Sequence, residues 1–140
     1  MRCDKMIMAA LETALEYLEN GGAEVATIAM LAAEPENLKA RAEAVAARLR
    51  ESGADADAEI AVGEAPSQIG GGTLPRSAIP SAVLALKPNG KTLDQFAEAL
   101  RAGENPTIGY VADGWMKFDF RTVFERQDRV LEETIIKALS

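Results

Sequence analysis

Arg2 and Lys5 stand one helical turn apart at the head of the first strongly patterned segment. Residues three apart on a helix are neighbours, and the amino end of a helix favours negative charge, so this pair could grip an anion. Arginine suits a phosphate-like anion because its charge persists and its planar donors match the oxygens. The plainer reading is two solvated basic side chains. Lys5 could serve as a Schiff-base lysine only in a desolvated pocket, which a chain terminus rarely provides, so it is set aside as a catalyst. Arg121 closes the run Asp119-Phe120-Arg121-Thr122, where strand alternation points it away from an inner aromatic stripe. It could bind a carboxylate through its fork, but a surface pair with Asp119 or Glu125 is the expectation. Gly70-Gly71-Gly72 could cradle a phosphate with backbone N–H groups. The run lacks the lysine of GxxxxGK[ST] and the spacing of GxGxxG, and a tight loop passing close to another element is the plainer reading.

The rest of the inventory is thin. The 140 residues contain no histidine and one cysteine, Cys3, so no internal disulfide, usual zinc site or Ser-His-Asp or Cys-His catalysis is available. Asp55, Asp57 and Glu59 alternate as solvent-facing carboxylates do, and they form no acid–base pair. No catalytic, metal-binding or cofactor-binding residue is assigned. A formal net charge of −7 opposes binding of nucleic acid by this domain alone. No apolar run reaches the roughly 20 residues of a membrane span, and no secretory signal pattern opens the chain, so a cytoplasmic location is expected.

Apolar residues at Met6, Ile7, Ala10, Leu11, Ala14, Leu15 and Leu18 predict a helix, ended by Asn20-Gly21-Gly22. Val25 to Leu31 fits either a strand or a helical turn. A second helix should start near Pro35, turn Leu38, Ala42, Val45 and Leu49 inward and stop at Gly53. Strands are expected at Glu59–Val62 and Ala82–Leu86, with Gly63 to Pro80 as irregular backbone between them. Thr92 and Gln95 have capping-box form ahead of Leu93, Phe96, Ala97 and Leu100. Ile108–Val111 and Trp115–Phe120 flank Asp113-Gly114 as a hairpin with Met116, Phe118 and Phe120 inward, and a last helix runs from about Phe124. The expected fold class is α+β: a two-layer α/β sandwich with about four mixed or antiparallel strands and helices on one face.

Three separated stretches resemble one family. Arg2-Cys3-Asp4-Lys5 with Ala10-Leu11-Glu12 is similar to the R-x-D-K…ALE element of the bacterial selenocysteine synthases, the L-seryl-tRNA(Sec) selenium transferases. Gly70-Gly71-Gly72-Thr73-Leu74-Pro75 and Ile79-Pro80-Ser81 resemble its GGG-x-LP…LPS segment. Pro106-Thr107-Ile108-Gly109 and Asp119-Phe120-Arg121-Thr122 resemble its P-x-IG…D-x-RT ending. The resemblance implies the small C-terminal domain of a fold-type I pyridoxal-phosphate enzyme, with residues 1–22 as the helix joining it to a missing large domain and 23–140 as the domain itself. It implies that the Schiff-base lysine, the cofactor pocket and the main tRNA-binding region lie outside this chain. The chain alone should then neither hold pyridoxal phosphate nor turn over, and the parent should be a homo-oligomer. In that parent, seryl-tRNA would be dehydrated and then take up selenium from selenophosphate. Arg2 matches the arginine that helps bind this anionic donor, and Arg121 matches a site-supporting position. Alternatives are a related enzyme acting on another substrate, such as an ammonia lyase on a phosphorylated amino sugar, or a free-standing interaction or small-ligand-binding domain.

Overall fold

Asp4 opens helix α1 (Lys5–Glu19) by accepting the Ile7 backbone N–H on its carboxylate at 2.9 Å. The computed structural model describes residues 3–22, 25–68 and 78–140, and divides the chain into two compact units, residues 1–33 and 34–140. In the first unit α1 ends as its sequence indicates, with Gly21 and Gly22 both at positive φ. The stretch from Val25 to Leu31 is helical: α2 (Ala26–Ala32) starts where the Val25 carbonyl accepts the Ala29 N–H.

The second unit begins with α3 (Pro35–Glu51), where Pro35 occupies a first-turn position that lacks an intrahelical N–H bond. Leu38, Ala42, Val45 and Leu49 are buried, as their spacing predicts. Strands β1 (Ala58–Gln68) and β2 (Ala78–Pro88) follow, and then α4 (Leu93–Ala102). The chain closes with β3 (Tyr110–Ala112), β4 (Trp115–Asp119) and α5 (Asp128–Leu139). The four strands form an antiparallel sheet in the order β1-β2-β4-β3. Helices α3 and α4 pack on the sheet, and α5 packs on both of them. Leu84, Leu86, Met116, Phe118 and Phe120 of the sheet layer meet Phe96, Leu100, Leu131 and Ile135 of the helical layer in the core.

The segment from Gly63 to Pro80 departs from the sequence expectation. Gly63–Gln68 and Ala78–Pro80 continue the two strands as a hairpin arm, with Pro66 directly opposite Pro80. Prolines 66, 80 and 88 share one parity of the β1–β2 ladder, so each can lie where no N–H is asked of it across the pair. Pro66 thus also turns its missing donor to the open edge of β1, which discourages further strand pairing. The Gly70-Gly71-Gly72 run lies outside the described residues.

Two other boundaries shift. The first hairpin strand starts at Tyr110, and a tight 3-10 turn at Glu125–Gln127 precedes α5. Asp113 and Gly114, at φ 56° and 78°, make the primed turn that the dipeptide predicts. The capping box is present in full: Thr92 Oγ1 accepts the Gln95 N–H at 3.2 Å, and Gln95 Oε1 accepts the Thr92 N–H at 2.9 Å. Thr92→Ala should lower stability by about 1 kcal/mol, read from the midpoint of urea unfolding.

A connection that the sequence did not signal holds α3 to the start of α5. Arg41 donates to both Asp128 oxygens, at 3.0 and 2.6 Å, and to the Val123 carbonyl at 2.8 Å. Its guanidinium carbon lies 5.4 Å from the centre of the Phe120 ring.

Candidate functional site

The hairpin arm runs past the amino end of α3 and leaves a groove of about 620 Å³ between them. Pro35, Glu36 and Lys39 form one wall, and Glu64–Pro66 with Ala78–Ala82 form the other. The walls are mostly apolar. At the groove Lys39 Nζ lies 3.4 Å from Glu64 Oε1, and both side chains are well exposed, so their charges largely offset each other in water.

The arm is fixed by the residues that end β4. Strand pairing between β2 and β4 runs from Leu86 to Val83, after which the Phe120 N–H still reaches the Ala82 carbonyl at 3.0 Å. The next β2 carbonyl on that side belongs to Pro80, and Arg121 Nη2 donates to it at 2.5 Å. A side-chain donor therefore stands where a further β4 residue would have donated. One carboxylate oxygen of Asp119 accepts both the Ser81 hydroxyl, at 2.5 Å, and the Arg121 backbone N–H, at 2.9 Å. Asp119, Arg121 and Ser81 thus form a clamp that holds β2 beyond the sheet. Ser81 and Arg121 are 3% and 5% exposed, so these bonds act out of competing water.

This placement corrects the expected surface pair of Arg121. Alternation does carry the side chain to the face opposite Met116, Phe118 and Phe120, but the long β2 strand lies alongside it there and the guanidinium is buried. From the sequence Ser81 and Asp119 stood out only as members of the LPS-like and D-x-RT-like stretches, Asp119 also as a surface partner of Arg121, and neither was given a role in a site. The available signal was parity: Ser81, Val83 and Ala85 alternate with the inward Ala82, Leu84 and Leu86 and so share the face of Asp119. Arg2 lies outside the described residues. Asp4 already caps α1 beside Lys5, so the positive end of that helix meets a carboxylate of its own.

The described residues do not fit pyridoxal phosphate. A Schiff-base lysine needs a desolvated amine, and Lys5, Lys39, Lys87 and Lys137 are exposed. Lys91 donates to the Ala138 carbonyl at 2.8 Å, and Lys117 pairs with Asp113 at 2.8 Å. That last pair has its own pH signature. The hydrogen bond and charge of Lys117 lower the Asp113 pKa below its ordinary 3.8. The hydrogen bond to Asp113 raises Lys117 above 10.5; burial partly opposes it, and the charges of Asp113 and Tyr110 add smaller upward effects. The depressed acid stabilises the fold above its unfolded pKa and loses that effect as pH falls through the folded one; the raised base does so below its unfolded pKa and loses it as pH rises. Asp113→Asn keeps a residue tolerant of the turn. It should therefore lower the urea midpoint only in the window between about pH 4 and pH 10, with the two proteins converging at both extremes.

Among the described residues no group of three or more Asp, Glu, Cys or His side chains could hold a metal. No helix among them is long and apolar enough to cross a membrane. Fold and site together define a small α+β domain with a clamped hairpin arm beside a groove.

Comparison with known proteins places that domain. The sequence profile of the L-seryl-tRNA selenium transferase (SelA) family matches residues 1–124. The chain is 34% identical to the L-seryl-tRNA(Sec) selenium transferase of Maridesulfovibrio salexigens, over 99% of this chain and 30% of that protein. The enzyme of the same name from Desulfomicrobium baculatum is 35% identical over 91% and 28%, and that of Moorella thermoacetica 32% identical over 99% and 30%. The chain belongs to the L-seryl-tRNA selenium transferase family, and it spans about 30% of the length of these relatives.

Proposed function

We propose that the chain is the C-terminal domain of a pyridoxal-phosphate-dependent selenium transferase that makes selenocysteine on tRNA from a seryl group and selenophosphate. The observation that carries this reading is the family match along nearly the whole chain, combined with its coverage of less than a third of each relative. The exposed or engaged lysines support the same division, in which the cofactor and its lysine belong to the remaining part of the protein. In this reading α1 joins that larger part to the domain, Arg2 contacts the anionic donor, and Arg121 supports the site by holding the arm. The intact protein works in the cytoplasm as a homo-oligomer, and the tRNA is met mainly by regions outside this chain.

The reading is tested in a chimera in which this chain replaces the matching region of the Maridesulfovibrio salexigens relative. Selenium transfer from selenophosphate to seryl-tRNA(Sec) is expected. Arg2→Ala should raise KM for selenophosphate by about tenfold to a hundredfold, the worth of one or two charge-assisted hydrogen bonds. A chimera that folds, binds pyridoxal phosphate and transfers no selenium would sink the substrate assignment. An unchanged KM would remove Arg2 from the site. The isolated chain mixed with pyridoxal phosphate should give no stoichiometric Schiff-base absorption band.

A further inference from the structure

The hairpin arm adds nothing to the apolar core. None of the buried apolar residues lies in 64–68 or 78–80, and Glu64, Pro66, Gln68, Ala78 and Pro80 are exposed. The ladder between β2 and β4 ends at Val83 and Asp119, and a fold in need of stability alone could end β1 and β2 at that level. Both strands continue instead, and a carboxylate and a guanidinium hold them. Arg121 is 5% exposed and Asp119 is half-buried. Drawing charged groups out of water seldom raises stability over apolar residues of the same volume, whereas hydrogen bonds shielded from water rigidify what they join. The clamp therefore supplies a fixed course for the arm.

Two observations bear on what that course serves. Pro80 and Ser81, the β2 residues gripped by the clamp, also line the groove of about 620 Å³, so a shift of the arm changes the groove. Pro80, Ser81, Asp119 and Arg121 all fall within Ile79-Pro80-Ser81 and Asp119-Phe120-Arg121-Thr122, two of the stretches that resemble the family. The clamp is thus assembled wholly from positions that follow the family pattern. The Asp119 oxygen that receives both donors is committed to the chain, so the residue acts through the arm.

We propose that Asp119 is a positioning residue of selenium transfer: through Ser81 and Arg121 it fixes the course of the arm, and the arm fixes the placement of the reacting groups. The inference rests on the proposed function for the reaction. Steady-state kinetics of the Maridesulfovibrio chimera test it, with rates taken per bound pyridoxal phosphate. A displacement of about 1 Å at a reacting centre can cost about a hundredfold in rate. Asp119→Ala should lower kcat by at least about tenfold and leave KM for selenophosphate within about twofold, since the contact to that anion is assigned to Arg2. Asp119→Asn keeps an acceptor oxygen and should recover most of the rate, staying about threefold below the unsubstituted chimera; it carries the test if the alanine variant fails to fold. Gly109→Ala strains the β3 side of β4 and controls for lost stability, so its kcat should be unchanged. Equal kcat losses in Asp119→Ala and Gly109→Ala would reduce the clamp to a stabilising contact and overturn the inference. So would an unchanged kcat in the aspartate variants, or an effect confined to KM. An unsubstituted chimera that binds pyridoxal phosphate and transfers no selenium removes the proposed activity and this inference with it; an active chimera indifferent to Asp119 removes the inference alone.

Discussion

Asp119→Ala is expected to destabilise residues 34–140 by about 3 kcal/mol, the larger part of it from two donors left without their acceptor. Ser81 Oγ and the Arg121 backbone N–H both end on one oxygen of Asp119, and a buried donor without a partner costs about 1–3 kcal/mol. Ser81 is 3% exposed, so water cannot readily replace the lost carboxylate. Asp119→Asn retains an oxygen that can accept both bonds but loses the charge, and should cost about half as much. Ser81→Ala removes the donor together with its need, leaving Asp119 its bond to Arg121, and should cost less than about 1 kcal/mol. Urea unfolding of the three variants checks the order. If Asp119→Ala were no worse than Ser81→Ala, the clamp would not hold the arm as described. Because Pro80 and Ser81 also line the groove, the aspartate variant should alter the shape of that groove while the serine variant leaves it intact.

Gly109→Ala should cost about 2–3 kcal/mol, as overpacking against fixed backbone does. A Cβ at that position would lie 2.7 Å from Met116 Sδ, 2.8 Å from the Lys117 carbonyl oxygen and 3.1 Å from Phe118 Cε1. Methionine can move aside, but the Lys117 carbonyl belongs to β4, held between β2 and β3. The chain just before β3 would have to lift from the sheet. Calorimetry should show a melting temperature lower by roughly 10 °C, at several degrees per kcal/mol for a domain near 100 residues. Adding Met116→Ala should not restore it, since the carbonyl remains; full rescue would show that the side chain alone set the limit.

These two positions give a physical content to the stretches that resemble the family. Gly109 sits in the P-x-IG segment because the chain passes too close to β4 for a side chain. Asp119 and Arg121 sit in the D-x-RT segment because β4 stops while β2 continues, and the extra length must be held by side chains. Neither reason could be read from the stretches themselves. A pattern names which residues recur, whereas the approach of two strands depends on where each is placed by the rest of the fold.

Local chemistry was legible without coordinates. The helices α1, α3, α4 and α5 follow from apolar spacing, Pro35, the Thr92–Gln95 box and glycine stops, each of which acts within one or two turns. Asp113-Gly114 announced its hairpin for the same reason. The arm was not legible, because Gly63, Pro66 and Pro80 carry breaker signals that hold for an isolated strand. They lose force when three prolines share one ladder parity and a neighbouring strand takes the remaining bonds. Tertiary structure alone decided that Arg121 is buried and that Ser81 and Asp119 meet across 38 positions of sequence. Short-range preferences depend on the identity of nearby residues and are written in the chain. Which face finds a cover depends on what distant segments leave open, and that is fixed only when the layers have packed.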